Sequence, residues 1–400
     1  MDIAELKYYS DSIEKIATDI GLTFYEQEFE IISYSDMIGY ATYLGMPSHY
    51  PHWSLGKNYD KLKTYYENNI MGLPYEIVIN SNPCIAYLVK DNSPVLHILT
   101  MAHVYGHNDF FKNNYLFSAG TNAEYAIPMF KNHANRVRNY IQLFGYAQVE
   151  KILDAIHSIK MYSEENSLLS FLIENTNLNE WQKDLLNIVM LQNRYFMPQL
   201  QTKIMNEGWA SFWHYNILKK LELSVEKYLE FITIHNNVVC PTNGALNPYY
   251  LGFKIWENIY NNYGLKDMLI IRELNSDTSF IRNYLTDEIC KSANLYAYIK
   301  QEKNYIVSDT TANNIRNALI NTIGLNSIPK IEVEDYDKLK NQLVLVHVSD
   351  NRELDLSFAT ETLKYIQTLS AGTVVLKTFF SGIKRQIVCD TNKKIYIQNE

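Results

Sequence analysis

Residues 101–114, MAHVYGHNDFFKNN, place His103 and His107 four positions apart, and what precedes them decides how they are presented. Ser93-Pro94 reads as an N-cap followed by proline at the first helical position, where a missing amide costs nothing. Val95, Leu96, Ile98, Leu99 and Ala102 recur behind it at helical spacing. The helix therefore runs through both histidines and sets them one turn apart on one face. Just upstream, YEIVINSNPCIAYLVKD holds two short apolar runs, Glu76–Ile79 and Cys84–Val89, around the turn-forming Asn80-Ser81-Asn82-Pro83. That is a strand–turn–strand signal feeding the histidine helix.

The remainder of the chain is read outward from this core. Residues 1 to 70 are expected to form helices with aromatic-rich connections. From 121 to 325 the pattern is predominantly helical, over 133–163, 178–220, 224–236, 250–263 and 277–300. Breaks fall near Ser163–Asn166, Pro241–Pro248 and Leu274–Asp277. After NSIPK the character changes. KIEVEDYD, QLVLVHVS, ELDLSF, TVVLKTF, RQIVCDT and KKIYIQ read as strands around one helix, TETLKYIQTLSA. The expected fold class is α+β, predominantly α-helical: a divergent zincin-like helical domain over 1–328 with a small β-hairpin or sheet in its N-terminal half, then a small α+β domain over 329–400.

Composition excludes several function classes. A formal net charge of −8 and the lack of a strongly basic stretch argue against general nucleic-acid binding. The four cysteines, Cys84, Cys240, Cys290 and Cys389, are scattered, which supports neither a zinc ribbon nor a disulfide framework and fits a reducing compartment. The N-terminal MDIAELKYYSDSIEKIATDIGL is an amphipathic pattern with early acids rather than a secretory signal. No run approaches the ~18 apolar residues of a membrane span. A cytoplasmic location is expected. P-loop, dinucleotide-binding, nucleophile-elbow and kinase signatures are all absent from the sequence.

The chemistry concentrates in histidines and acids. Two imidazoles at i and i+4 can chelate one ion, as in H-E-x-x-H helices, but Val104 stands where such a helix carries its glutamate. A second stretch, IMNEGWASFWHY (204–215), is similar to the N-E-G-F-A segment of the aminopeptidase branch of the gluzincins, whose glutamate is the third zinc ligand. Glu207 is the matching position. His103, His107 and Glu207 form the expected metal set, with zinc the expected divalent ion. A His2Glu shell with an open position is of the catalytic type. Valine cannot polarise water or return a proton, so a base must come from elsewhere. VEKILDAIHS offers Glu150 and His157, and the 204–215 stretch offers His214. In both, a glutamate and a histidine stand seven apart, two turns along one face. Glu150, His157 and His214 are the expected proton-transfer residues.

Weaker signals surround them. Asp154-x-x-His157 is a near-match to the ligand pairs of di-iron bundles. Asp109 points away from the face of the histidine pair. His49 and His52, in an aromatic loop, read as packing residues as readily as ligands. Arg272, Glu273, Asp277 and Arg282 read as structural salt bridging near a helix start.

Taken together, HYPHWSLGKNY, YEIVINSNPCIAYL, AHVYGHNDFFKNNYLF, MNEGWASFWHY, NPYYLG and DTSFIRNYLT resemble the stage V sporulation protein R (SpoVR) family, collinearly over most of residues 40 to 300. IEVEDYD and RELDLSFATETL extend the resemblance toward the C-terminus. The resemblance implies a cytoplasmic bacterial protein linked, in spore formers, to endospore cortex formation. It also implies an association with a PrkA-type serine protein kinase and a von Willebrand-like partner protein. The family's histidines and glutamates carry over to His103, His107, Glu150, His157, Glu207 and His214, while the metal reading comes from spacing. The expected activity is a metal-dependent hydrolase of a peptide or amide bond with a non-standard base. The alternative is a non-catalytic zincin-like scaffold or regulator acting through partners.

Overall fold

The computed structural model describes residues 3–67, 76–162, 167–242, 245–301, 304–309, 311–348, 350 and 352–399. Helices dominate, with three small sheets. The expected hairpin is present as strands Glu76–Ile79 and Cys84–Val89, and the histidine helix runs over Pro94–Asn113. Ser93 caps that helix by accepting from the Leu96 amide. Strand Cys84–Val89 is central in its sheet. It pairs in parallel with Gln27–Ile32 and antiparallel with Glu76–Ile79, which leaves Glu76–Ile79 at an edge.

Three long expected helices are shorter than the periodicity suggests, and each break has a local cause. The helix over 133–163 divides at Gly145, whose φ of +84° suits glycine and stops Ala126–Phe144 before Tyr146–Ser158 begins. The helix over 178–220 divides at Thr202, between Glu180–Gln201 and Lys203–Leu218. There the Asp277 carboxyl group accepts the Ile204 and Met205 amides and so caps a new helix start. The helix over 277–300 becomes Asp277–Tyr284 and Asp287–Ser292, the second capped by Thr286, and Ala297–Gln301 is a strand. Helix Pro248–Leu274 continues past its expected end at 263, with a kink at Gly264 (φ +79°). The break expected at 163–166 lies outside the described residues.

The chain divides into two compact units. The first comprises Met1–His49, Trp53–Met129 and Pro198–Ser327. Its core centres on three helices: the histidine helix, Lys203–Leu218 and Pro248–Leu274, with Trp209 and Trp256 fully buried between them. Small residues set the approach. A Cβ on Gly106 would come within 2.6 Å of the Ala210 Cα, and one on Gly208 would overlap the Gly252 backbone. The glycine of the NEGW stretch is thus a helix-contact residue, and it fixes where its neighbour Glu207 stands.

The second unit comprises Tyr50–His52, Phe130–Met197 and Ile328–Glu400. Its five-stranded sheet runs in the order Ile395–Asn399, Ile383–Cys389, Thr373–Phe380, Gln342–His347, Ile331–Asp337. Helix Leu356–Ser370 makes the crossover between the two parallel strands. ELDLSF, expected as a strand, instead starts this helix, because Asp355 caps it by accepting from the Phe358 amide. Residues 130–197, expected within a 1–328 domain, group with this sheet. Their Ile152, Leu153, Ile156, Leu169 and Leu172 share one core with Leu345, Leu363 and Val374. A single helix cannot cover the apolar face of five strands, so the sheet recruits helices from earlier in the chain.

Candidate metal centre

Four side chains of the first unit converge. The histidine helix is buried from Val95 to Phe111 on every face except Leu96's, which marks it as the central helix of its unit. On it His103 is 0% exposed and His107 6%. The edge strand contributes Glu76 at its first residue, and helix Lys203–Leu218 contributes Glu207. His103 Nε2 lies 3.3 Å from Glu76 Oε1 and 3.8 Å from Glu207 Oε2. His107 Nε2 lies 3.8 Å and 3.5 Å from the same two atoms.

These separations fit a shared ion. Neighbouring ligands each about 2.0–2.2 Å from one metal stand about 3 to 3.5 Å apart, and the observed spacings lie at or just beyond that. Glu76 Oε2 and Glu207 Oε2 are buried with no hydrogen-bond partner. Burying carboxylate oxygens in that state is costly unless something else satisfies them. The donor set, two imidazoles and two carboxylates, is one that zinc and related divalent ions accept.

The imidazoles are held from behind. His107 Nδ1 is 2.9 Å from Asn206 Oδ1, an acceptor, so His107 donates through Nδ1 and turns Nε2 toward the carboxylates. His103 Nδ1 is 2.9 Å from His214 Nδ1, and His214 Nε2 is 2.7 Å from His235 Nδ1. Burial pushes His103 and His235 down to about 4 and His214 well below its ordinary value, so all three rings are neutral near pH 7. Burial and then repulsion from Glu207 push Glu76 well above the usual carboxylate range. Burial works the same way on Glu207, but the adjacent His103 and His107 outweigh it and hold Glu207 below its ordinary value. Two carboxylates facing the same pair of imidazoles are therefore driven in opposite directions.

Glu207 also lines a cleft of about 450 Å3 with Lys203, Thr242, Asn247 and Tyr249. The Tyr249 ring, which also lines this cleft, stacks on His103 with centroids 6.0 Å apart.

The structure brings His103, His107 and Glu207 together and puts His214 directly behind His103. Glu150 and His157 belong to the second unit. There the Tyr50 hydroxyl meets His157 Nε2 at 3.0 Å, His52 Nε2 meets Asp154 Oδ1 at 3.2 Å, and Glu150 Oε1 is buried without a hydrogen-bond partner. Asp109 serves the core: it takes both bonds of Arg272 Nη1, the Trp209 indole N–H and the Thr23 amide. Sequence reasoning missed Glu76, Asn206 and His235. The available signal for Glu76 was an acid opening an apolar strand. Asn206 immediately precedes Glu207, and nothing local marks His235.

The site thus defines a buried His2Glu2 cluster on a helical scaffold. The family sequence model described as SpoVR like protein matches residues 1–167 and 161–328, and the chain belongs to the SpoVR family. It is similar to a protein of Escherichia coli (strain K12) named Uncharacterized protein YcgB, at 29% identity over 93% of this chain and 91% of that one. No solved structure matches the chain significantly. Among the described residues, no helix is long and apolar enough to cross a membrane.

Proposed function

We propose that this protein is a metal-dependent hydrolase whose divalent ion, zinc by donor type, is held by His103, His107 and Glu207, with Glu76 as the proton-carrying group. The convergence of both Nε2 atoms on two buried carboxylates within 3.8 Å carries this reading. A bound ion would act as a Lewis acid toward a carbonyl group and toward water.

The chain's own residues divide the remaining work. Asn206 and His214 hold the two rings in orientation. Glu207, whose Oε2 faces both Nε2 atoms, suits the role of ligand. Glu76, with Oε1 3.3 Å from His103 Nε2 and Oε2 free, would stand beside such an ion and suits the role of taking and returning a proton. That role replaces the glutamate for which buried Val104 has no equivalent. The cleft beside Glu207 supplies the substrate's approach, and a peptide or amide bond is the natural target. The SpoVR resemblance adds a link to endospore cortex formation, with a cytoplasmic precursor or a protein as substrate.

Val104 favours a competing reading, a non-catalytic scaffold acting through a PrkA-type kinase and a von Willebrand-like protein. Protein purified without chelator should carry about one zinc per chain, absent from the His103→Ala/His107→Ala variant. A hydroxamate, which needs an open metal position, should raise the Tm of the loaded protein only. Equal trace metal in both proteins overturns the centre. Stoichiometric zinc with no hydroxamate response overturns the hydrolase and leaves the scaffold.

A further inference from the structure

Behind the proposed ligands lies a chain of three buried imidazoles drawn from three segments. His103 comes from the histidine helix, His214 from Lys203–Leu218, and His235 from helix Val225–Val238. Only nitrogens link them: Nδ1 to Nδ1 at 2.9 Å, then Nε2 to Nδ1 at 2.7 Å. The His235 ring is clamped in turn, stacked on Tyr215 at 4.6 Å and edge-on to Phe253 at 5.2 Å. A neutral imidazole has one N–H and one acceptor nitrogen. In such a chain, the position of one proton dictates all the others.

We infer that His214 and His235 are positioning residues that lock His103 in the tautomer able to bind metal through Nε2. The inference rests on the metal reading above. With an ion held between His103 Nε2 and the carboxylates of Glu76 and Glu207, the His103 proton would be on Nδ1 and donated to His214 Nδ1. His214 then carries its proton on Nε2 and donates it to His235 Nδ1, which leaves the His235 proton on Nε2. The opposite order would place a proton on His103 Nε2, between the carboxylates, where the ion belongs. His214 therefore serves His103 as Asn206 serves His107, and one helix supplies both orienting groups and Glu207. Its sequence, N-E-G-x-x-x-x-x-H, thus encodes a ligand and the supports of the two others.

The test uses the zinc-loaded full chain with 15N-histidine labelling and long-range proton–nitrogen correlation. The expected result is an Nδ1–H tautomer for His103 and Nε2–H tautomers for His214 and His235. His214→Leu should weaken zinc binding about 10- to 100-fold. His214→Gln, whose side-chain oxygen can still accept from His103, should recover most of that loss, which a purely space-filling role would not require. Because His214→Leu could unfold the protein, His235→Leu is measured beside it and should weaken zinc binding by a smaller factor. Parent protein without zinc overturns the metal centre itself. Zinc-loaded parent with a proton on His103 Nε2 overturns the positioning role alone. So do folded His214→Leu and His235→Leu variants that bind zinc as tightly as the parent.

Discussion

Glu76 Oε1 stands 3.3 Å from His103 Nε2, joining the first residue of an edge strand to the middle of the central helix. Its other oxygen is buried without a hydrogen-bond partner, and Glu207 repels it. In metal-free protein burial and Glu207 hold it protonated, at a cost that an amide in its place would not incur. Glu76→Gln is expected to raise metal-free stability by about 1–3 kcal/mol, read by denaturant unfolding in chelator. The same change should weaken zinc binding at least about tenfold. A variant that is destabilised without metal and binds zinc normally would assign Glu76 a structural role.

Gly208 tests whether helix contact sets the position of Glu207. An added methyl overlaps the Gly252 backbone, which cannot yield as a side chain would. Gly208→Ala should cost about 1–3 kcal/mol by overpacking, despite the better helix propensity of alanine. Zinc affinity should fall with it, because Glu207 is the adjacent residue. Unchanged Tm and unchanged affinity would show that the two helices can separate freely.

These two residues also show what the sequence made legible. The histidine helix, its cap and the strand pair were readable because each follows from local chemistry: Ser93-Pro94, a turn cluster, apolar spacing. Glu207 was readable because it travels in a distinctive motif. Glu76 was not, because an acid at a strand start is ordinarily a solvent-facing end, and only the packing of the sheet on the helix turns it inward. His235 is brought to His214 by tertiary contact alone. Glu150 and His157 shared the helical spacing of Glu207 and His214, but spacing within a helix does not say which core the helix joins. Their helix is committed to the second unit by Val149, Ile152, Leu153 and Ile156.

Arg272 and Asp109 form a buried ion pair that holds the histidine helix against Pro248–Leu274. Burial pushes the Asp109 carboxyl upward, opposed by Arg272, the Thr23 amide and the Trp209 indole. Arg272→Met leaves Asp109 buried without its cation and should cost about 3–5 kcal/mol. Pairing it with Asp109→Asn should recover part of that loss, so the double variant loses less than the sum of the singles. Additive losses in thermal unfolding would show that the two groups act independently.

Asp277 supplies the pH dependence. Burial pushes its carboxyl up to about 7, although the Ile204 and Met205 amides at the helix start favour its charge. The folded protein then keeps this proton up to about pH 7, whereas the unfolded chain releases it near 4. Between those values the folded state binds more protons, so this residue's contribution to stability falls as pH rises. The total change is at most about 4 kcal/mol. Asp277→Asn removes the titration and keeps an acceptor for one of the two amides. The stability of the parent relative to Asp277→Asn should therefore decline from pH 4 to pH 7 and level off above. A parent that gains on the variant over that range would show that the amides outweigh burial and keep Asp277 ionised.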